Sequence, residues 1–233
     1  MAAHAAKKTR SYDWDDYRTW DDDKRWELVG GEAFDMTPAP GTGHQRAVLR
    51  LAAELHRYFT GKTCEVFVAP VDVKLSDEDI VQPDIVVVCE RSKLKPTHIE
   101  GAPTLVVEVL SPSTEVHDRL RKMALYARTG VKEVWLVSPE ARLVELFVLD
   151  GATYRLTGTY TQGDSLRSRA FPKLSVNLRN VFTLPPEAGT SVRMLRETGP
   201  SYGSRPTGHA RRPVRKRPAP AGSRRRVVKL ERP

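Results

Sequence analysis

Val81-Gln82-Pro83-Asp84-Ile85-Val86-Val87-Val88-Cys89 and, after a basic loop over 91–103, Thr104-Leu105-Val106-Val107-Glu108-Val109-Leu110-Ser111-Pro112-Ser113-Thr114 form the stretch on which the fold turns. Each half is an apolar, β-branched run of strand length, and each carries one carboxylate. Asp84 opens the first strand. Glu108 stands inside the second, where apolar neighbours on both sides predict burial. An ionised group there costs free energy unless a cation, a metal or hydrogen-bond donors compensate it. Ser111-Pro112-Ser113-Thr114 then signals a helix start, with Ser113 or Thr114 as cap, and the helix should run to Gly130. Its apolar stripe is Val116, Leu120, Met123, Ala124 and Ala127.

Outward from this stretch the chain alternates strands and helices. Ser11 to Trp26 suits a short surface helix, and Trp14, Trp20 and Trp26 read as core and hairpin packing rather than a base-stacking platform. Trp26 to Met36 reads as a hairpin turning at Gly30-Gly31. Thr42 to Phe59 has amphipathic helical spacing that Gly61 would end. Glu65 to Leu75 reads as an extended segment bent at Pro70. Beyond Gly130, strands are expected at Glu133–Val137, Leu143–Leu149 and Thr153–Tyr160, the last two joined by Asp150-Gly151, with a last, partly alternating strand over Pro172–Phe182. This order predicts a mixed α/β sheet.

At 233 residues, with 39% hydrophobic content, the chain suits one ordinary domain with appendages. The expected division is a disordered lead-in over 1–10, a folded domain over 11–184, and a disordered Arg- and Pro-rich tail over 185–233. The net charge is +9, but residues 199–233 hold eleven Lys or Arg and one acid, so that segment alone carries +10. The rest of the chain is close to neutral. No run of eighteen apolar residues and no apolar segment of signal-peptide length appears, so the expectation is a cytoplasmic protein without a membrane partner. Cys64 and Cys89 lack a CxxC partner and read as two separate, buried small hydrophobes, with neither a disulfide framework nor a zinc site.

Two carboxylates on adjacent strands are suited to Mg²⁺, a hard cation that takes oxygen ligands and keeps several waters. The backbone carbonyl of Val109 is a candidate third protein ligand. A metal so held activates water and neutralises charge on a phosphodiester, and a nearby ammonium adds electrostatic stabilisation.

Beyond this pair, an ordered string of pieces resembles one family. It comprises Trp26-Glu27-Leu28-Val29-Gly30-Gly31-Glu32, Met36-Thr37-Pro38-Ala39-Pro40, His44-Gln45, Ala69-Pro70-Val71-Asp72-Val73, Val81-Gln82-Pro83-Asp84, Gly101 to Thr114, then Asp118, Lys122, Tyr126, Gly130-Val131 and Trp135-Leu136-Val137. Together they resemble the Uma-two restriction endonuclease family of the PD-(D/E)xK nuclease superfamily, over roughly residues 20 to 150. The resemblance implies a restriction endonuclease-like fold and a metal-dependent endonuclease acting on DNA with Mg²⁺, or Mn²⁺ in its place. It makes Pro83-Asp84 the PD pair, Glu108 the second acid and Lys122 the lysine. Superfamily nucleases often dimerise, so a homodimer is among the assemblies it allows.

The plain superfamily pattern is broken, because Leu110 stands where E-x-K requires lysine. Lys122, on the following helix, would be the migrated replacement. At about 100° per residue it lies roughly 145° from the centre of the apolar stripe, so helical arithmetic places it off the buried face. Asp118, Lys122 and Tyr126 nevertheless form a row of their own. Glu27, His44 and Gln82 are supporting candidates.

Simpler readings stand beside these. Asp84 could be a turn residue after proline, Lys122 a solvated helix lysine paired with Asp118, Glu27 an exposed hairpin residue, and His44 a cap or surface residue. A different class of function is also open: a non-catalytic nucleic-acid-binding protein that keeps the fold and binds through its basic tail.

Overall fold

The computed structural model describes residues 10–22, 24–36, 39–111 and 121–184. Its centre is a six-stranded mixed sheet of β3 (Glu65–Val68), β6 (Ile85–Val88), β8 (Leu105–Val109), β9 (Glu133–Ser138), β10 (Leu143–Asp150) and β11 (Thr153–Thr161), in the order β11-β10-β9-β8-β6-β3. Only β8 and β9 run parallel within it. A parallel neighbour needs a crossover, which the segment containing α3 (Met123–Thr129) supplies.

The apolar runs follow from burial on both faces. On one face, α2 (Thr42–Phe59) packs Ala47, Leu51, Leu55 and Phe59 against Ile85, Val87, Leu105, Val107, Trp135 and Val137. On the other, Leu125 and Tyr126 of α3 meet Val86, Val106, Val134 and Leu136. Strands β6, β8 and β9 therefore have no solvent side. Gly130 closes α3 with φ 90°, a left-handed cap that glycine adopts without a Cβ penalty. The helix-start signal at 112–120, including both expected caps and Asp118, lies outside the described residues, as does everything from 185 onward. No helix among the described residues is long and apolar enough to cross a membrane.

A second sheet is built from β1 (Trp26–Val29), β2 (Glu32–Asp35), β4 (Val73–Ser76), β5 (Asp79–Val81) and β7 (Ile99–Glu100), in the order β2-β1-β5-β4-β7. The expected mixed sheet is thus the six-stranded one, and this five-stranded sheet is additional to it. The expected bend at Pro70 marks the division: β3 and β4 flank a cis Ala69–Pro70 bond and enter different sheets. The hairpin at Gly30-Gly31 forms with both glycines at positive φ. One helical turn, α1 (Trp14–Tyr17), is closed by an Asp13–Asp16 capping box, and Tyr12, Trp14, Tyr17, Trp20 and Trp26 cover the Leu28–Ala33–Ile80 cluster. Those tryptophans are packing residues, as expected.

Two further expectations change. Pro172–Phe182 is not one strand: β12 (Ser165–Arg167) pairs with β13 (Ser175–Asn177), and the chain then turns into α4 (Leu178–Phe182). Asn177 caps that helix, its side chain accepting from the Arg179 N–H. The cysteines are not separate hydrophobes, because Cys64 and Cys89 form a disulfide. The β3–β6 register explains it: Glu65 lies opposite Val88, so the next residues outward, Cys64 and Cys89, face each other.

Candidate active site

Register brings the two carboxylates to the same end of the β6–β8 ladder. Ile85 pairs with Val107 in the antiparallel β6–β8 ladder, so Asp84, one residue earlier, comes opposite Glu108, one residue later. Residues directly opposite project to the same face. Asp84 is fastened there: the Val109 N–H donates to its Oδ2 at 2.8 Å. His44, in the first turn of α2, places Nε2 3.2 Å from the same oxygen. Both contacts fall on Oδ2, and no described residue gives a hydrogen bond to Oδ1. The Asp84 side chain keeps 19% of its surface exposed.

Glu108 is 3% exposed and Lys122 1% exposed. The Lys122 ammonium lies 3.2 Å from Glu108 Oε1 and 2.8 Å from Glu27 Oε1. The Tyr126 hydroxyl donates to Glu108 Oε1 at 2.5 Å. Glu27, fully buried on β1, also accepts from the Gln82 backbone N–H at 2.7 Å. The compensation that a buried Glu108 demands thus comes from a lysine and a phenol on one helix, and the same lysine reaches a carboxylate on the second sheet.

Three of the plain readings fail on geometry. Lys122 is not solvated and Glu27 is not exposed. His44, 8% exposed, is neither a cap nor a surface residue, and α2 begins at Gly41 with no side-chain cap. Lys122 escapes the helical arithmetic for two reasons. Arg121 and Lys122 lie in a π-helical turn ahead of α3, which holds more residues per turn than the α-helix assumed. The helix is also packed on two sides, burying Leu125, Tyr126 and Ala127.

Tyr126 was not among the expected site residues. Its signal was present in its spacing of four from Lys122, which stacks the two side chains on one helical row. Gln82 reaches the cluster with its backbone. Its side chain turns outward, donating to Asp72 at 2.9 Å and accepting from Arg25 Nε at 2.9 Å. The Tyr17 hydroxyl donates to the same Asp72 oxygen at 2.8 Å, and its pKa is pushed up by burial and by the Asp72 charge. Val109 is buried, and its N–H is committed to Asp84.

The donor set suits a hard, oxygen-seeking cation rather than a soft one: two carboxylates and peptide carbonyls, with the disulfide's sulfurs at the other end of the β3–β6 ladder. No described group of three or more His, Cys, Asp or Glu side chains is arranged to hold a metal ion by side chains alone.

Residues 14–179 match the family model described as "Uma2: Putative restriction endonuclease". A Synechocystis sp. protein described as "Uncharacterized protein slr1290" is 29% identical over 137 residues, spanning 57% of this chain and 72% of that protein. The crystal structure of "a putative nuclease belonging to DUF820" from Anabaena variabilis matches with a TM-score of 0.59 at 15% identity, covering 73% of this chain and 97% of that one. At that identity the likeness speaks to the fold.

Proposed function

Because the chain belongs to the Uma2 family and has a restriction endonuclease-like core, we propose that it is a Mg²⁺-dependent endonuclease hydrolysing DNA phosphodiester bonds. The observation that carries this reading is the ion pair between Glu108 and Lys122. An acid and a lysine fourteen residues apart come together beside the Pro83-Asp84 motif, although the contiguous E-x-K is interrupted by Leu110.

In this reading Asp84, Glu108 and the Val109 carbonyl hold the cation, with Mn²⁺ as a substitute. When bound, the metal supplies Lewis-acid activation of water and neutralises charge on the scissile phosphate. The Lys122 ammonium contributes a fixed positive charge beside that position, already oriented in a buried setting where electrostatics are strong. Glu27 and Tyr126 hold the lysine and Glu108 in register, and the Val109 N–H keeps Asp84 against β8. The test is plasmid cleavage by purified Asp84→Ala in Mg²⁺. At least a roughly hundredfold loss is expected, the scale on which removal of a transition-state contact is felt; cleavage at the wild-type rate refutes the assignment.

One observation favours a second reading, a non-catalytic nucleic-acid binder. The Lys122 ammonium already sits between two carboxylates at 1% exposure. Deleting residues 199–233, the segment of +10 charge, separates the two. Retained cleavage with weakened, salt-dependent DNA affinity supports the enzyme. Absence of cleavage by the full chain at every Mg²⁺ and Mn²⁺ concentration supports the binder.

A further inference from the structure

We infer that His44 is a positioning residue for Asp84, fixing which of its two carboxylate oxygens is offered to a bound cation. The inference rests on the metal reading above. It begins with a helix face that changes character. Along α2, the buried positions after His44 are Ala47, Leu51, Leu55 and Phe59, all apolar. Packing at position 44 would be served by another apolar side chain. An imidazole stands there instead, 8% exposed, with Nε2 3.2 Å from Asp84 Oδ2.

The second ring nitrogen makes the case specific. Nδ1 is buried and has no hydrogen-bond partner among the described residues. With Nε2 turned to the carboxylate, the ring leaves Nδ1 buried without a partner, an arrangement folding alone disfavours. What the ring gains is the contact at Nε2. That contact converges with the Val109 N–H, 2.8 Å from the same oxygen. One contact comes from a sheet strand and the other from a helix on the sheet's α2 face. Flanked by the Val109 hydrogen bond and the His44 nitrogen, the carboxylate cannot rotate to exchange its oxygens without losing both contacts. Oδ1 is left as the oxygen available to a ligand. Such outer contacts orient metal-binding carboxylates and govern affinity as strongly as many direct ligands do.

The experiment is calorimetric titration of the full chain with Mn²⁺, with thermal denaturation recorded on the same proteins. His44→Leu should weaken Mn²⁺ binding by about 10- to 100-fold while its Tm stays at or above the wild-type value, because the orphaned nitrogen is gone. His44→Gln, whose terminal amide can donate from a similar reach, should restore affinity to within about threefold, under 1 kcal/mol; His44→Asn, one methylene shorter, should not. If His44→Leu does not fold, the Gln and Asn variants decide, and equal affinities in those two overturn the inference. Wild-type affinity in His44→Leu, with binding abolished in Asp84→Ala, overturns the role of His44 and leaves the metal reading intact. Undiminished binding in Asp84→Ala overturns both. A loss of affinity matched by a loss of stability assigns His44 to structure and refutes positioning.

Discussion

Replacing Lys122 with methionine tests the buried cluster without reference to catalysis. The ammonium lies 2.8 Å from Glu27 and 3.2 Å from Glu108, and all three side chains are at most 4% exposed. At an effective dielectric of about 20, unit charges at those separations attract by roughly 6 and 5 kcal/mol. Desolvation of all three groups offsets most of that, so the net contribution of the pair against an apolar replacement is small. Removal of the cation alone is different, because two buried carboxylates then face each other without it. Breaking a buried pair from one side costs about 3–5 kcal/mol. With a urea m-value of about 2 kcal/mol/M, the unfolding midpoint of Lys122→Met should fall by about 1.5–2.5 M. Methionine preserves the length and apolar stem of lysine, so a cavity does not explain the loss. Glu27→Gln should restore part of the stability in the Lys122→Met background, giving a coupling energy of about 1–3 kcal/mol in the double-mutant cycle. A Lys122→Met midpoint corresponding to less than about 0.5 kcal/mol, the range of surface substitutions, refutes the buried ion pair.

Three other outcomes follow from named contacts. Tyr126→Phe removes a hydrogen bond to a buried carboxylate and should cost about 1.5–3 kcal/mol by urea denaturation; an unchanged midpoint would show that Glu108 does not depend on it. Burial alone would raise the Asp79 carboxyl, but the Ser76 hydroxyl, the Gly30 N–H and the Arg128 guanidinium together hold it below its ordinary range. A depressed folded pKa stabilises at pH above the unfolded value of about 3.9 and is lost as pH falls through the lower folded value. The stability gap between wild type and Asp79→Asn should therefore hold from about pH 7 to 5 and close below about pH 4, and a gap independent of pH would contradict the sign. Reduction of Cys64–Cys89, which spans 25 residues, should lower stability by about 3 kcal/mol on chain-entropy grounds. A midpoint insensitive to dithiothreitol, with both thiols shown by alkylation to be reduced, is the contrary result.

The central sheet was legible because its signal is redundant. Strands buried on both faces must be apolar at both parities, and short β-branched runs such as Ile85–Val88 and Leu105–Val109 fit little else. Elements whose identity depends on distant partners were harder to read. Nothing local in Glu65–Leu75 says that its halves join different sheets, since that is decided by strand order. The cysteine pairing needed the β3–β6 register, which places Cys64 opposite Cys89. Glu27 has the local pattern of any hairpin residue; its partner in burial is a lysine far along the chain, on another element. A buried glutamate in an apolar strand was itself an incomplete clue. Glu133 is equally buried, yet it is satisfied by the Trp135 indole N–H and by the Arg169 and Ala170 backbone N–H groups, at 2.6 Å each. What distinguishes Glu108 is the kind of partner, an ammonium and a phenol on a helix instead of neighbouring structural N–H donors. Sequence periodicity does not report that difference.

The interrupted E-x-K becomes intelligible at this point. Glu108 and Leu110 project to the same face of the chain, and Leu110, 3% exposed, packs with Val73, Val86, Ile99 and Leu125. A lysine at 110 would have to drive its ammonium through that apolar cluster or abandon it. Delivery from the helix avoids the conflict. The stem of Lys122 approaches from the α3 side, and its ammonium still ends 3.2 Å from Glu108. The same placement brings it to Glu27, a carboxylate on the neighbouring sheet, 2.8 Å away. In the proposed nuclease reading, the ammonium beside Glu108 is supplied from the helix instead of from position 110. A search confined to contiguous motifs passes over such a site, whereas one that asks what compensates each buried acid arrives at it.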